Sequence, residues 1–363
     1  MMEKYLFIGI IVCIIVFMML LTACVSYIPS EKIKEGKKPQ EKEQHPNETI
    51  SIVFTGDVMI GRLMNDVIAE KGYIWIWGDI LSELENADLR IINLETTLTT
   101  QKEKWTPKVF NYKSNPENVQ ALKMALIDYA SLANNHILDY RYSGLTETIK
   151  VLDDAGIKHA GAGKTLEQAK KPAILEVRGK RIGIISITDN EPGWKANGKP
   201  GTNYIRINDA GLEEIKQQIS NVRSKVDILI VSAHWGPNMK LRPSREFQDF
   251  ARSVIDTGAD IFHGHSSHVF QGIEIYNNRP ILYDTGDFID DYAVDPVLRN
   301  DWSFIFKVRY PREIVLIPII TTFQTRKAKG SEKEDIEKRM IQLSDELGTS
   351  VEVTEEGLVI KLR

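Results

Sequence analysis

The sequence predicts an α/β fold with a mixed sheet or two stacked sheets, and three observations carry that expectation. Apolar strand-like runs alternate with amphipathic helical stretches from Thr49 onward. Three runs nearer the carboxyl end follow one another with no helix between them. Polar residues suited to chemistry stand directly after the apolar runs, where open α/β sheets collect ligands.

Taken in order, residues 50–54 read as a strand running into Thr55-Gly56-Asp57, and residues 89–94 as a second ending at Glu95. Val119, Leu122, Ala125 and Leu126 recur at helical spacing after Pro116, which suits a first helical turn. Residues 129–133 form a short buried strand that runs into Asn134-Asn135-His136, and a helix covers 142–154. Strand 181–188 and helix 212–222 precede the strong strand 226–233, which delivers His234. Helix 247–256 and the short strand 261–262 lead into His263-Gly264-His265. Runs 269–276, 280–283, 302–310 and 314–320 are strand-like. Residues 332–347 form a charged amphipathic helix, and 351–353 with 358–361 a small closing hairpin. The Gly-, Pro- and Asn-rich stretch 189–203, which holds Trp194, reads as a surface connection, with a substrate-side loop as the alternative.

The amino-terminal region reads differently. Lys4 precedes an apolar run over 6–23, the form of a signal-peptide core or a short membrane span. The run ends in Leu21-Thr22-Ala23-Cys24, which resembles the bacterial lipobox and marks Cys24 for lipidation. An uncleaved transmembrane anchor is the alternative. Both put the rest of the chain on the extracytoplasmic face of the cell membrane. Residues 25–48 are a charged flexible tether with almost nothing to bury, and 49–363 the folded domain. With Cys13 inside the apolar run, a processed chain keeps Cys24 as its sole cysteine and forms no internal disulfide.

The 363 residues carry a formal net charge of -4, which argues against non-specific binding to nucleic acid. Of only seven histidines, five (His136, His234, His263, His265 and His268) stand at or just beyond strand ends, together with Asp57, Glu95 and Asn135. Carboxylates, an amide oxygen and imidazoles make the ligand set of Mn, Zn or Fe, so one or two divalent ions are expected. Arg62 and Arg242 are candidate anion contacts, because guanidinium offers a planar donor fork to phosphate or carboxylate.

Several separated motifs, in order, resemble the bacterial CapA family of poly-gamma-glutamate capsule synthesis proteins, within the calcineurin-like metallophosphatase superfamily. They are Thr55-Gly56-Asp57-Val58-Met59, Asn93-Leu94-Glu95, Ala133-Asn134-Asn135-His136, Ser232-Ala233-His234-Trp235-Gly236, Gly264-His265-Ser266-Ser267-His268 and Tyr283-Asp284-Thr285-Gly286-Asp287. The resemblance implies a four-layer α/β/β/α sandwich of the metallo-dependent phosphatase type. It implies Asp57 as the first metal-binding aspartate, Glu95 as the bridging carboxylate, and Asn135, His234, His265 and His268 as further ligands. His136 is then the proton donor to a leaving group, with Asp139 or Asn134 orienting it. The chain departs from the superfamily pattern at Met59, where a histidine ligand is usual, and in the spacing of the last histidines. A ligand is therefore missing from one metal position unless His268, His263 or Asp287 supplies it.

Two functions follow from the resemblance. One is a metal-dependent hydrolase acting on a phosphoester or on an amide or ester of an envelope polymer. The other is a non-catalytic accessory subunit that binds or guides the anionic polymer beside membrane synthase partners.

Overall fold

The computed structural model describes residues 49–362; the expected leader with Cys24 and the tether lie outside them. The chain forms a mixed α/β fold whose strands collect into two large sheets of ten and six strands. At the centre of the larger sheet is Ile50–Val58, parallel to Leu89–Leu94 and antiparallel to Trp302–Tyr310. Leu89–Leu94 continues in parallel to Tyr129–Ser131 and then to Lys158–Ala160 at the edge. On the other side Trp302–Tyr310 turns back on Glu313–Ile320, which pairs with the closing strand Leu358–Lys361. In the smaller sheet Lys180–Thr188, Ile228–His234, Ile261–His265 and Arg279–Leu282 run parallel, with antiparallel strands Ala173–Val177 and Ile273–Tyr276 at its edges.

Alternation along the strands decides where their side chains go. Ile52, Phe54, Ile91 and Tyr129 of the larger sheet share one buried cluster with Ile182, Ile184, Ile228 and Ile230 of the smaller. Their neighbours Val53, Ile92 and Ala130 face the other way, toward Ile68, Leu122, Leu145 and Leu152 of helices Leu63–Lys71, Val119–Met124 and Arg141–Ala155. Ile185, Leu229 and Val231 likewise face Ile215, Ile219, Phe250 and Val254 of helices Asp209–Arg223 and Arg245–Asp256. One apolar core therefore joins the sheets and two others bind helices to their outer faces. The helix Gly330–Asp345 adds Ile336, Met340 and Leu343 to the core between the sheets.

Most expected elements are present within a few residues of their expected bounds, and several further elements were not expected. The helix Leu63–Lys71 and the short helices over 75–85 lack a strong apolar period, and Ala173–Val177 is a half-exposed edge strand. Asp287–Ile289, only three residues long, pairs in parallel with the end of Ile50–Val58. The stretch 189–203 is not a plain surface connection. Trp194 is buried, with its ring 5.3 Å from Trp105 in an edge-on contact.

Candidate metal centre

Strand register sets the site. Asp57 lies opposite Asn93 on one side, both near the carboxyl ends of parallel strands, and on the other side opposite Asp287, which opens the short parallel strand Asp287–Ile289. In the smaller sheet His234 lies opposite His265, again at the carboxyl ends. Two groups of ligand atoms result, each within 4.8 Å: Asp57 with His234 and His265, and Asp57 with Glu95, His268 and Asp287.

The first group has the spacing of an ion's ligand shell. Nδ1 of His234 and Nδ1 of His265 are 3.0 Å apart, and Asp57 Oδ1 is 3.8 Å from the first and 3.4 Å from the second. Ligands on a tetrahedral ion with bonds of 2.0–2.1 Å lie about 3.3 Å from one another. A hydrogen-bond chain sets which nitrogen of His265 is offered. His263 Nε2 faces the Thr55 carbonyl at 3.1 Å and must donate to it, so its Nδ1 accepts from Ser232 Oγ at 3.3 Å. The Ser232 oxygen then accepts from His265 Nε2 at 3.0 Å, leaving the His265 Nδ1 lone pair turned toward Asp57 and His234. His263 thus stands behind the ligands rather than among them. Burial first, and then the nearby His265, hold its ring well below the usual histidine range.

The second group answers the question raised by Met59. That thioether is buried and accepts the Gly61 amide at 3.3 Å, so it belongs to neither group. His268 and Asp287 fill out this half instead, with Nδ1 and Oδ1 2.8 Å apart. The turn that brings His268 back has Ser266 at φ 121° and His268 itself at φ 60°, conformations costing on the order of 1–3 kcal/mol each. Against burial, which favours the neutral ring, Asp287, Glu95 and Asp57 hold the His268 imidazolium well above its usual range. Burial pushes the Asp287 carboxyl up to about 6, although His268 pulls the other way. Burial and the charges of Asp57 and Asp287 push Glu95 well above the carboxylate range. The centre is thus crowded with buried acid and short of positive charge.

Several of its polar atoms are also buried without a hydrogen-bond partner: Asp57 Oδ2, both Glu95 carboxylate oxygens, His234 Nε2 and Asp287 Oδ2; Asn135 Oδ1, next to His136 in the chain, is likewise buried without one. Orphaned buried atoms are costly, and convergent ones of this chemistry fit a divalent cation. Asp57 stands in both groups, and Glu95, which the resemblance implies as the bridging carboxylate, has Oε1 3.9 Å from His234 Nε2 of the first group. The Asn134 side chain is taken up by hydrogen bonds: its amide donates to Asn93 Oδ1 and Leu94 O, and its oxygen accepts the His136 amide.

His136 flanks the centre. Its Nδ1 is 2.5 Å from Asp139 Oδ2, its Nε2 is 3.7 Å from Glu95 Oε1, and its ring stacks on Tyr112 at 3.7 Å. Burial, then the charge of Lys108, hold it well below the usual histidine range. Burial raises Asp139 to about 7, opposed by its donors Lys108 Nζ at 2.5 Å and the Tyr112 amide at 2.6 Å.

Lys108 and Asn93 were missed from sequence. Lys108 comes from a stretch with no apolar period, donates to Asn135 O and Asp139, and packs over Trp194 at 4.7 Å. Asn93 Nδ2 donates to Asp57 Oδ1 at 2.7 Å and lies 3.3 Å from His234 Nδ1. Its place two residues before Glu95 in a strand facing Asp57 was a usable signal.

The two arginines part company. Arg62 lies beside the centre, between the rings of Tyr112 and Tyr292, with Nε 3.3 Å from Asp291 Oδ1. Arg242 is not poised for an anion: both arms of its guanidinium grip Glu346, at 2.5 and 2.7 Å. Arg242 is 53% exposed, so Arg242→Ala is expected to cost no more than about 1 kcal/mol in a urea melt. Metal binding is expected to be unchanged in it.

Residues 51–292 match the family described as “Bacterial capsule synthesis protein PGA_cap”. The chain belongs to this family. Among its relatives is a protein of Mycobacterium tuberculosis (strain CDC 1551 / Oshkosh) named a probable polyglutamine synthesis accessory protein. It is 38% identical over 265 residues, 70% of this chain and 69% of that one. The PGA biosynthesis protein CapA of Bacillus subtilis (strain 168) is 31% identical over 260 residues, 70% of this chain and 67% of its own length. The capsule biosynthesis protein CapA of Bacillus anthracis is 28% identical over 249 residues, 68% of this chain and 61% of its own length. The PGA_cap match spans every residue of both ligand groups, and the closing helix and hairpin lie beyond it.

Proposed function

We propose that this protein is an accessory subunit in the synthesis of an anionic, poly-gamma-glutamate-type envelope polymer, and that its metal centre binds the polymer. It works at the extracytoplasmic face of the membrane, held there by its leader through Cys24 or as an uncleaved anchor, beside membrane synthase subunits. The fold is read as the four-layer α/β/β/α sandwich of the metallophosphatase type, supported by one core between two sheets and one on each outer face.

The observation that carries the reading is that two groups of ligand atoms meet at Asp57, with buried oxygens of Asp57, Glu95 and Asp287 left without hydrogen-bond partners. Asp57, His234 and His265 would hold one ion; Asp57, Glu95, His268 and Asp287, with Asn135 beside them, would hold a second. Bound ions would supply concentrated positive charge for carboxylates of the polymer, in a chain whose own net charge is -4. Arg62, at the same place, adds a donor fork for such a group. The accessory role is supported by the printed names of the relatives.

One observation favours hydrolysis as a second reading. Asp139 anchors His136 through Nδ1 and leaves Nε2 directed toward Glu95, the disposition of a residue that gives or takes a proton. The two readings separate in cells that make the polymer. The accessory role predicts that Asp57→Ala abolishes polymer output while His136→Ala leaves it near wild type. Loss of output in both, accompanied by turnover of polymer or phosphodiester by purified wild type, would establish the hydrolase.

A further inference from the structure

We infer that a groove along the open edges of the two sheets is a second binding site, taking an extended polyamide chain that carries carboxylates. This deepens the proposed function, on which its choice of ligand rests. The groove is built where the sheets stop. Lys158–Ala160 is the last strand of the larger sheet and Ala173–Val177 the last of the smaller, and neither has a strand partner on its outer side among the described residues. A cleft of about 620 Å³ opens against both, and a neighbouring cleft of about 520 Å³ shares Lys158 and Ile174 with it.

Three features define what the groove would take. Lys158, Lys164 and Lys171 line the larger cleft, all exposed, and none is in an ion pair with a described residue. This distinguishes them from Lys170 and Lys195 nearby, which both grip Glu214. The single carboxylate lining that cleft, Asp153, is engaged with His159 Nε2 at 3.2 Å. His159 Nδ1 is buried there without a hydrogen-bond partner, so a further polar group is wanted. Ile174 is an exposed apolar contact between the two clefts.

Open strand edges present unpaired amide and carbonyl groups, with which the amides of an extended polyamide chain can hydrogen-bond. The lysines then meet the carboxylates of that chain. Polyphosphate offers the charge without the amides, so the two ligands are chemically separable. With one contact at the metal centre and another at this groove, a long polymer is held by two linked sites, and retention exceeds what either gives alone.

The test uses the full-length chain in detergent, with poly-gamma-glutamate and polyphosphate as probes at low and physiological salt. The triple variant Lys158→Glu, Lys164→Glu, Lys171→Glu is expected to bind poly-gamma-glutamate at least tenfold more weakly, with metal content unchanged. A control that reverses exposed Lys199, Lys225 and Lys338 to Glu is expected to bind as wild type. Asp57→Ala is expected to lose metal while keeping groove-dependent polymer binding. Unchanged affinity in the lysine triple would overturn the groove and leave the metal-centred function standing, whereas a metal-free wild type would count against that function and not the groove. Equal loss in the control triple, or polyphosphate binding without any poly-gamma-glutamate binding, would also overturn the proposal.

Discussion

Chelation is expected to lower the melting temperature of the metal-loaded protein by several degrees, and Asp57→Ala is expected to abolish the difference. An ion present at a hundred times its dissociation constant stabilises the folded state by about 2.7 kcal/mol, which shifts the melting temperature by a few degrees per kcal/mol. Asp57 supplies a ligand atom to both groups, so one substitution removes the shared carboxylate. Glu95→Gln separates the ion's contribution from the protein's own. In the metal-free protein, burial and the charges of Asp57 and Asp287 hold the Glu95 carboxyl above its ordinary range.

The sign follows from linkage. At a pH below the unfolded value both states carry the proton and Glu95 costs nothing. As pH rises, the unfolded chain ionises first, and stability falls until the folded group ionises as well. At neutral pH the metal-free Glu95→Gln variant should therefore melt higher than metal-free wild type, while gaining less from added manganese or zinc. Differential scanning calorimetry with and without chelator measures both effects. A Gln variant that melts lower without metal and gains as much as wild type with it would refute the account of a centre built around a cation.

Gly264→Ala is expected to cost about 3 kcal/mol or more, or to yield no soluble protein. A Cβ at this position would lie 2.0 Å from the Tyr283 carbonyl oxygen and 2.6 Å from Trp235 Nε1. Those two atoms are hydrogen-bonded to each other at 2.9 Å, and Gly264 sits between His263 and His265 in a parallel strand. Accommodating the methyl means prying that bond open or moving the strand that aims His265. Gly193→Ala is the control, because nothing lies within 4 Å of its Cβ position, and a change within about 0.5 kcal/mol is expected. Urea midpoints of the two variants give the comparison. A Gly264→Ala variant as stable as wild type would mean that the strand and Trp235 yield more readily than their packing suggests.

Much of the fold was legible because its signals are local. Strand 89–94 announces itself as a short apolar run, because it is buried on both faces, and helix 142–154 through the 3.6-residue period of its one buried face. Among the elements that went unseen are two whose place is set by pairing: the three-residue strand Asp287–Ile289, held by Ile50–Val58, and the edge strand Ala173–Val177, held by Lys180–Thr188.

Local order also determined which residues stand at strand ends, so Asp57, Glu95, Asn135, His136, His234 and His265 were named from sequence alone. Tertiary structure alone decided how they divide. Asp57 became the shared carboxylate, His268 turned back to meet Asp287, and Met59 went to a backbone amide. Asn134 and His263 were drawn into the hydrogen-bond lattice behind the ligands, Lys108 arrived from a loop, and Arg242 closed on Glu346. The physical reason is that periodicity tells a residue's face within its own element. Ligand geometry instead depends on register between strands and on hydrogen bonds between residues as far apart in the chain as Thr55 and His263, which exist only after the two sheets have packed.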